Sequence, residues 1–597
     1  MDQTFNSQGQ NLIDLCIASR LRILNGRFVG DLFGNITCYK TNGASTVDYC
    51  LADVDLINNI NFFQVLDPNY LSDHAQIVVH IKYEKFIVYE KANVKLNQID
   101  KFYKWEAVSK NKLFDALCEP EIVENILSFE TANFEKTGEG INLATSQLTK
   151  MLENLAEKSC KTIKLRKKKI KKKKNWVDTE VRDLKKTVIN LGNKLRLQPF
   201  NGQVKLAFFK HSKDLKKMVK RKKYLYKKAI YDKLLNWRES DPKAYWQFLN
   251  SLKNDNIDKN KDTCIPSNFN NLAKHFQTQG DPNCYDKDFK KKIDEQIGEY
   301  RVLLENNEIT DKPFTSSEIK QMHKKLKVGK STDPDLISNE ILTQSNLITN
   351  KAITKLFNLI LETGKYPDNW RKSFTILIFK SGEKTDLNNH RGIYLQNCLA
   401  KLFSSTLNER LILHYENLFA NQQFGFRGNH RTSDSIFILK TLITKYIYGE
   451  KGRIFSCFVD LRRAFDSLWQ NGLLYKLKVN NTGQKFHKVI RDMYRSSYSA
   501  VKIDNEYTDF FELNRGVKQG DSLSPTLFNC YINDLHNIFD DSCDPLKLDM
   551  SNISSLSFAD DLVILSKSHQ GLQNALKKLE SYCYKWQLTV NTKKQKL

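Results

Sequence analysis

The sequence has 597 residues, a formal net charge of +26 at pH 7, and 40% hydrophobic and 11% aromatic residues. Its length predicts about three domains, and its apolar content excludes a disordered polymer. The excess of basic residues favours a polyanionic partner, with nucleic acid preferred over an anionic membrane surface.

The sequence also bears on cellular location. No apolar run reaches the ~18 residues of a membrane span, and charges interrupt "NLIDLCIASRLRIL" near the N-terminus, so no signal peptide is expected. The twelve cysteines include no C-x-x-C pair and no Cys/His cluster at zinc spacing. This pattern predicts reduced, packed thiols. We therefore expect an intracellular protein, nuclear or cytoplasmic, that acts on nuclear DNA and has no membrane contact.

Residues 1–83 combine short apolar runs with turn signals such as "LNGR" and "TNGA". This punctuation predicts strands that are joined by tight turns. The segment "STVDYCLAD" (45–53) is predicted as one strand, because Val47, Tyr49 and Leu51 fall on one face and alternate with Asp48 and Cys50 on the other. A second strand is predicted at "HAQIVVHIKY" (74–83).

Residues 84–310 form a lysine-rich, helix-favouring region with few glycines or prolines. Its charge peaks at "RKKKIKKKK" (166–174), and a second basic stretch at 214–237 has an apolar helical face. A solvated linker and a nucleic-acid-binding helix both remain open for this region. Aromatic residues between the lysines favour nucleic acid, because rings stack on bases while lysines meet phosphates; they are Tyr224, Tyr226, Tyr231 and Trp237.

From residue 311 onward, predicted strands and helices alternate again. "IFSCFV" predicts a buried strand that ends at Asp460, and "SLSFADDLVIL" predicts a hairpin whose tip carries Asp560 and Asp561. Three carboxylates between apolar walls repel one another, and a divalent cation such as Mg²⁺ removes that cost. The alternative is that the aspartate pair caps a turn.

Further motifs occur in a fixed order along this region. The three central ones are "FVDLRRAFD" (458–466), "GVKQGDSLSPTLFNCYINDL" (516–535) and "FADD" (558–561). Others flank them: "KSTDPDLISNEIL" (330–342), "NNHRGIYLQNCLAKLF" (388–403), "QQFGFRGNHRTSD" (422–434) and "WQLTVNTKK" (586–594). Together they resemble the reverse transcriptases of non-LTR, LINE-type retrotransposons. The resemblance implies an α/β (α+β) fold, with polymerase fingers and palm over 311–597 and the thumb missing.

The resemblance also implies roles for individual residues. Asp460 and Asp560 would bind two Mg²⁺ ions, Asp561 would support the site, and Lys594 would protonate the departing pyrophosphate. Phe465 would exclude a 2′-hydroxyl and so select deoxynucleotides. The nucleotide and template would contact Lys380, Arg391, Gln519 and Gly520. Without the resemblance, Phe465 fits a helix's core face, Arg391 an ion pair, and Lys594 a solvated lysine cluster.

The first 83 residues resemble the C-terminal part of an endonuclease of the exonuclease–endonuclease–phosphatase family, an α/β sandwich. The matching segments are "STVDYCLAD" and "LSDHAQI". The resemblance implies that His74, which follows Asp73, acts on the attacking water and that Asp48 holds its imidazole. The family's metal-binding segments have no match, so we expect a fragment that does not nick DNA.

The sequence thus predicts three regions: a nuclease fragment at 1–83, a basic helical linker at 84–310, and reverse-transcriptase fingers and palm at 311–597. The predicted reaction is RNA-directed DNA synthesis from a DNA primer, an RNA template and deoxynucleoside triphosphates. Two alternatives stay open. One is a reverse transcriptase of the intron-encoded or telomerase lineage, and the other is a catalytically silent relic that only binds nucleic acid.

Overall fold

The computed structural model describes residues 7–82, 97–98, 101–164, 176–242, 244–246, 248–249, 269–282, 284–298, 305–329, 335, 337–344, 346–383, 385–503 and 506–592. The chain divides into two compact units. The first spans 1–91 and 167–263, and the second spans 92–166 and 264–597. Both mix helices with strands, as the predicted α/β class requires.

The first unit combines short antiparallel strand pairs with helices of 4 to 39 residues. The strand pairs are Leu21–Ile23 with Leu51–Asp53, Cys38–Lys40 with Gly43–Ser45, and Ile60–Val65 with Ile77–Ile81. The helices are Ser7–Ala18, Val54–Ile57, Thr179–Leu197 and Gly202–Ser240. We call the last two helices the helical hairpin.

The helical hairpin and the strands share one hydrophobic core. Phe63 and Val65 of the strands are buried together with Val188, Leu195 and Phe208 of the helices. The region 84–310, predicted as one linker, is therefore divided between the two units. The physical reason is that a helical period identifies an apolar face but not the surface that this face covers. The charge peak at 166–174 lies outside the described residues.

The second unit is predominantly helical. Its described α-helices are Ser109–Leu117, Pro120–Thr131, Gly138–Ser159, Phe269–Thr278, Lys287–Gly298, Ser316–Lys325, Asn339–Thr343, Leu347–Thr363, Asp368–Arg371, Cys398–Tyr415, Thr432–Ile443, Ala464–Ser467, Gln470–Val479, Gln484–Tyr494, Ser524–Ile532 and His569–Lys585. Its other described helical segments are the 3₁₀ helices Leu387–Asn389, Asn533–Ile538 and Asp541–Cys543 and the π-helical segment Thr444–Gly449.

Two sheets organise this unit. The six-stranded sheet has the order His390–Leu395, Lys372–Phe379, Tyr498–Ile503, Glu506–Tyr507 and Asn97–Gln98, with Phe511–Glu512 also on Tyr498–Ile503. The three-stranded sheet is antiparallel, in the order Phe455–Asp460, Asp561–Ser566 and Ser555–Phe558. Separate strand pairs are Leu546–Leu548 with Ser551–Ile553 and Lys101–Lys104 with Lys161–Lys164.

The three-stranded sheet is covered on both faces. Leu562 and Ile564 belong to the main core of the unit. Val563 and Leu565, which alternate with them, belong to a smaller cluster with Leu442. Alternate residues of a strand point to opposite faces, so burial on both sides explains the uninterrupted apolar run after the aspartates.

Two features are absent from the described part of the chain: a helix suited to spanning a membrane and a disulfide. Within the described ranges, no helix combines the length and the apolar character that crossing a bilayer requires. No disulfide joins the cysteines in these ranges, and most of those cysteines are buried.

Candidate active site

The three-stranded sheet brings the predicted aspartates to one end. Its register sets Asp460 directly opposite Asp561. The hairpin predicted from "SLSFADDLVIL" is present, because Phe558 pairs with Asp561 and leaves Ala559 and Asp560 as a two-residue turn. Ala559 adopts a left-handed backbone with φ +58°, a conformation that such tight hairpin turns use. Asp560 thus lies at the tip of the hairpin, beside the other two aspartates.

The side chain of Gln423 holds this turn. Gln423 is buried, and its Oε1 accepts hydrogen bonds from the backbone N–H groups of Ala559 (2.9 Å) and Gly425 (2.8 Å). Its Nε2 donates to the Ala559 carbonyl oxygen at 3.4 Å. Gln423 lies in the quoted "QQFGFR" motif, but no role was predicted for it. Its contact with a turn 136 residues away leaves no signal in a single sequence.

Burial and two neighbouring carboxylates oppose the ionisation of Asp560. Burial raises the pKa of the Asp560 carboxyl, the negative charges of Asp561 and Asp460 raise it further, and the positive charge of Arg391 lowers it. Asp561 is exposed, and Asp460 is half-buried. A divalent cation among these groups would remove the repulsion.

The donor set fits Mg²⁺ in its chemistry. All three side chains offer carboxylate oxygens, which are the ligands that this hard cation prefers. The three aspartates are spaced more widely than the ligands of a closed metal site. Their carboxylate oxygens do not all lie within 4.8 Å of one another, whereas the ligand atoms of another described cluster, at Cys38, do. The fit therefore rests on ligand type and on the raised pKa of Asp560.

Asp460 is also held by a residue that the sequence did not single out. Asn591 Nδ2 donates to Asp460 Oδ2 at 2.8 Å, and the Asn591 N–H donates to the Asp460 carbonyl oxygen at 2.8 Å. The neighbouring residues Leu461 and Val590 form an antiparallel bridge. The segment "WQLTVNTKK" therefore runs alongside Asp460. Lys594, predicted from the same motif, lies outside the described residues.

Phe465 lies close to the glycine-rich segment that begins at Gly516. Its half-buried ring stacks on Phe528 with centroids 5.2 Å apart, and it meets Phe426 edge-on at 6.4 Å. Its carbonyl oxygen accepts a hydrogen bond from the Val517 N–H at 2.9 Å. The ring thus packs against the core with one side partly accessible. Its role in sugar selection stays a prediction.

The four residues predicted to contact nucleotide and template lie on two neighbouring segments. Arg391 pairs with Ile378 in the six-stranded sheet, and the Lys380 N–H donates to the Asn389 carbonyl oxygen at 2.9 Å. The carbonyl oxygen of Gln519 accepts from the Tyr394 N–H at 2.8 Å, three residues beyond Arg391. Gly520 follows at φ +113°. The positive charge of Arg391 also lowers the pKa of Asp560, so among these residues Arg391 is the one with a shown influence on the aspartates.

A fourth aspartate of the same region, Asp466, ends the motif "FVDLRRAFD" and had no predicted role. Asp466 accepts a hydrogen bond from Gln279 Nε2 at 3.2 Å. Burial raises its pKa to about 6, although the charges of Arg463 and Arg391 lower it. Asp466 is therefore a half-buried acid that supports the loop at Phe465 without belonging to the aspartate cluster.

An apolar groove of about 370 Å³ opens beside two of the aspartates. Asp460 and Asp561 line it together with apolar side chains. Phe458 is 48% exposed and Ile436 is 60% exposed along this groove, on the strand that ends at Asp460 and on the helix Thr432–Ile443. The site therefore has a polar end and an apolar wall, a shape that suits a sugar–base unit next to phosphate chemistry.

The residues predicted from the nuclease resemblance lie in the first unit. Asp48 Oδ2 and His74 Nδ1 are 2.7 Å apart, so the predicted imidazole–carboxylate pair is present. Asp73 precedes His74, and its carbonyl oxygen accepts from the Tyr39 N–H at 2.8 Å. On the helical hairpin of the same unit, Tyr224 and Tyr231 are 66% and 62% exposed among lysines. Aromatic rings and basic groups are thus accessible there.

Comparisons with known proteins agree on one domain. Residues 380–597 match the family model described as "Reverse transcriptase (RNA-dependent DNA polymerase)". Over 299 residues the chain is 29% identical to the RNA-directed DNA polymerase from mobile element jockey of Drosophila funebris. The matched stretch covers 47% of this chain and 31% of that protein. It is 28% identical over 272 residues to the Pol polyprotein from type-1 retrotransposable element R2 of Nasonia vitripennis, a match that covers 45% of this chain and 25% of that protein.

One solved structure that resembles the chain is apo telomerase from Candida Tropicalis truncated from its C-terminal domain. It has a TM-score of 0.30 and 13% identity, and covers 51% of this chain and 71% of that one. The chain spans about a third of the length of the jockey polymerase. Residues 380–597 form a reverse-transcriptase domain with relatives in non-LTR retrotransposons.

Proposed function

We propose that this chain is an RNA-directed DNA polymerase of a LINE-type retrotransposon, acting through its reverse-transcriptase domain. The substrates would be an RNA template, a DNA primer and deoxynucleoside triphosphates. The observation that carries the proposal is the register of Asp460 against Asp561, with Asp560 at the tip of the adjoining turn. Such a set of carboxylates suits the transfer of a nucleotidyl group to a primer 3′-hydroxyl.

The aspartates would act as metal ligands. Asp460 and Asp560 would hold the ions, and Asp561 would add negative charge at the base of the hairpin. When bound, two Mg²⁺ ions would neutralise the attacking and leaving oxygens of an in-line phosphoryl transfer. Gln423 and Asn591 would keep the two ligands in position, because each bonds directly to a ligand or to the turn that carries it.

The neighbouring segments would bind and select the nucleotide. Arg391 and Lys380 offer cationic groups for triphosphate oxygens, and Gln519 and Gly520 adjoin Arg391 through the backbone pairing at Tyr394. Phe465 would lie beneath the sugar and exclude a 2′-hydroxyl. Lys594 would supply a proton to the departing pyrophosphate.

The first unit would contribute nucleic-acid contacts. Exposed Tyr224 and Tyr231 among lysines on the helical hairpin suit RNA, with rings stacking on bases and ammonium groups meeting phosphates. The strands before residue 83 would be a nuclease-derived fragment, supported by the 2.7 Å contact of Asp48 with His74.

Primer extension on an RNA template tests the proposal. The full chain should incorporate deoxynucleotides when Mg²⁺ is present, and Asp560→Asn should abolish incorporation because it removes a charged ligand at the hairpin tip. Asp549→Asn is the matched control, because Asp549 is an exposed aspartate of another turn in the same unit. This control should retain activity.

The outcomes also separate the alternatives. Incorporation that survives Asp560→Asn would contradict the site assignment. Template binding without any incorporation, in the presence of Mg²⁺ or Mn²⁺, would favour a catalytically silent nucleic-acid-binding protein.

A further inference from the structure

A thiol, an imidazole and a carboxylate converge in the first unit, where the proposed polymerase chemistry uses none of them. Cys38 Sγ lies 3.7 Å from His74 Nε2. The ligand atoms of Cys38, His74 and Asp73 all lie within 4.8 Å of one another, and no other group of three metal-ligating side chains in the described ranges does so. Cys38 and His74 are 36 residues apart, so the usual zinc spacings do not reveal them.

Backbone pairing fixes this arrangement. Cys38 and His74 face each other in an antiparallel bridge. Hydrogen bonds flank it, from the Ala75 N–H to the Thr37 carbonyl oxygen (2.7 Å) and from the Tyr39 N–H to the Asp73 carbonyl oxygen (2.8 Å). This pattern makes Cys38 and His74 a non-hydrogen-bonded pair, in which opposed side chains come closest. The thiol and the imidazole are therefore held together by paired backbone.

Asp48 orients the imidazole from its other side. Its Oδ2 lies 2.7 Å from His74 Nδ1, which leaves Nε2 directed at the thiol. The hydroxyl of buried Thr37 accepts the Asp48 N–H at 3.0 Å, and Asn25 Nδ2 donates to the Asp48 carbonyl oxygen at 3.2 Å. A carboxylate on the outer nitrogen of a metal-binding histidine is a recurrent arrangement that fixes the tautomer and strengthens the ligand.

We propose that Cys38, His74 and Asp73 bind a zinc ion, with Asp48 as a positioning residue. Tetrahedral bonds of about 2.3 Å to sulfur and about 2.0 Å to nitrogen set these two atoms about 3.5 Å apart, close to the observed 3.7 Å. A thiolate favours zinc over magnesium. The His74 side chain is 43% exposed, which leaves the fourth position to water. Binding converts the thiol to a thiolate and releases its proton to solvent.

Cobalt and zinc titrations of the full chain test this site. Co²⁺ should give the near-ultraviolet absorption of a thiolate–cobalt bond, and Zn²⁺ should displace it. Cys38→Ser should lose that absorption, whereas the control Cys118→Ser, at an exposed cysteine of the other unit, should keep it. Asp48→Asn should keep the absorption but weaken zinc affinity about 10- to 100-fold.

Two results would overturn the proposal. One is the absence of thiolate–cobalt absorption in the full chain, and the other is the same absorption in Cys38→Ser. If Cys38→Ser fails to fold, His74→Ala decides the matter, because this side chain is 43% exposed and its loss should still abolish zinc-displaceable cobalt binding. Unchanged cobalt and zinc affinity in His74→Ala would exclude the site. The outcome does not depend on polymerase activity.

Discussion

Replacing Gln423 with leucine should disable the aspartate hairpin without touching an aspartate. Leucine is close to glutamine in size but cannot accept a hydrogen bond, so the buried N–H groups of Ala559 and Gly425 lose their acceptor. Each buried donor left without a partner costs about 1–3 kcal/mol. The two together predict a loss of about 2–6 kcal/mol in the free energy of unfolding, or a hairpin that leaves its native position.

The two measurements are urea denaturation and primer extension under the same buffer conditions. Gln423→Leu should lower the denaturation midpoint, and the remaining folded protein should extend primers more slowly because Asp560 is no longer held. Gln422→Leu is the matched control: this half-buried neighbour makes no side-chain hydrogen bond among the described residues. A Gln423→Leu protein with wild-type stability and wild-type extension rate would refute the role of the amide as a clamp.

Further predictions concern three other regions. Because the pKa of Asp466 is raised to about 6, its ionised form destabilises the fold, and stability should fall as pH rises from about 4 to 6. Asp466→Asn should remove this pH dependence and raise the free energy of unfolding by at most about 3 kcal/mol above pH 6 in pH-resolved urea titrations; parallel stability curves for the two proteins would contradict the raised pKa of Asp466. Phe465→Val should admit ribonucleotides in primer extension, and unchanged sugar selectivity would mean that the ring only packs. RNA affinity should fall steeply as the salt concentration rises. The double substitution of Lys227→Ala and Lys228→Ala, on the helix Gly202–Ser240, should flatten the slope of log affinity against log salt concentration by about 0.7 per lost phosphate contact. An unchanged slope would exclude these lysines as phosphate contacts.

The strands and the hairpin of the site were predicted from short sequence patterns. The apolar run before Asp460 and the flanks of Asp560 and Asp561 identified strands and a hairpin, because alternation and turn composition act within a few residues. Motif order predicted that Asp460 joins Asp560 and Asp561 in one cluster, whereas the strand register that sets Asp460 opposite Asp561 was not predicted. The clamp by Gln423 and the contact of Asn591 with Asp460 join residues more than 130 positions apart, where periodicity carries no information.

The basic region illustrates a different limit. Its helical character was predicted from the spacing of apolar residues, and the helices Thr179–Leu197 and Gly202–Ser240 are present. Its description as a separate linker did not anticipate that Val188 and Leu195 would complete the core of the N-terminal strands. An amphipathic pattern states that a face is buried, and only the tertiary structure states against what.

Two glycines explain how distant motifs reach the spacing that the site needs. At Gly425 a β-carbon would lie 2.2 Å from the Ala559 backbone nitrogen, and at Gly516 it would lie 2.7 Å from the Asp466 carbonyl oxygen. Both neighbours are backbone atoms, which cannot rotate away as a side chain can. The first glycine lets the "QQFGFR" segment press against the Asp560 turn, and the second lets the loop before Gln519 press against the segment of Phe465. The positions of Asp560 and Phe465 therefore depend on close backbone contact between motifs. An alanine at Gly425 should displace the Asp560 turn, and an alanine at Gly516 should displace the segment of Phe465.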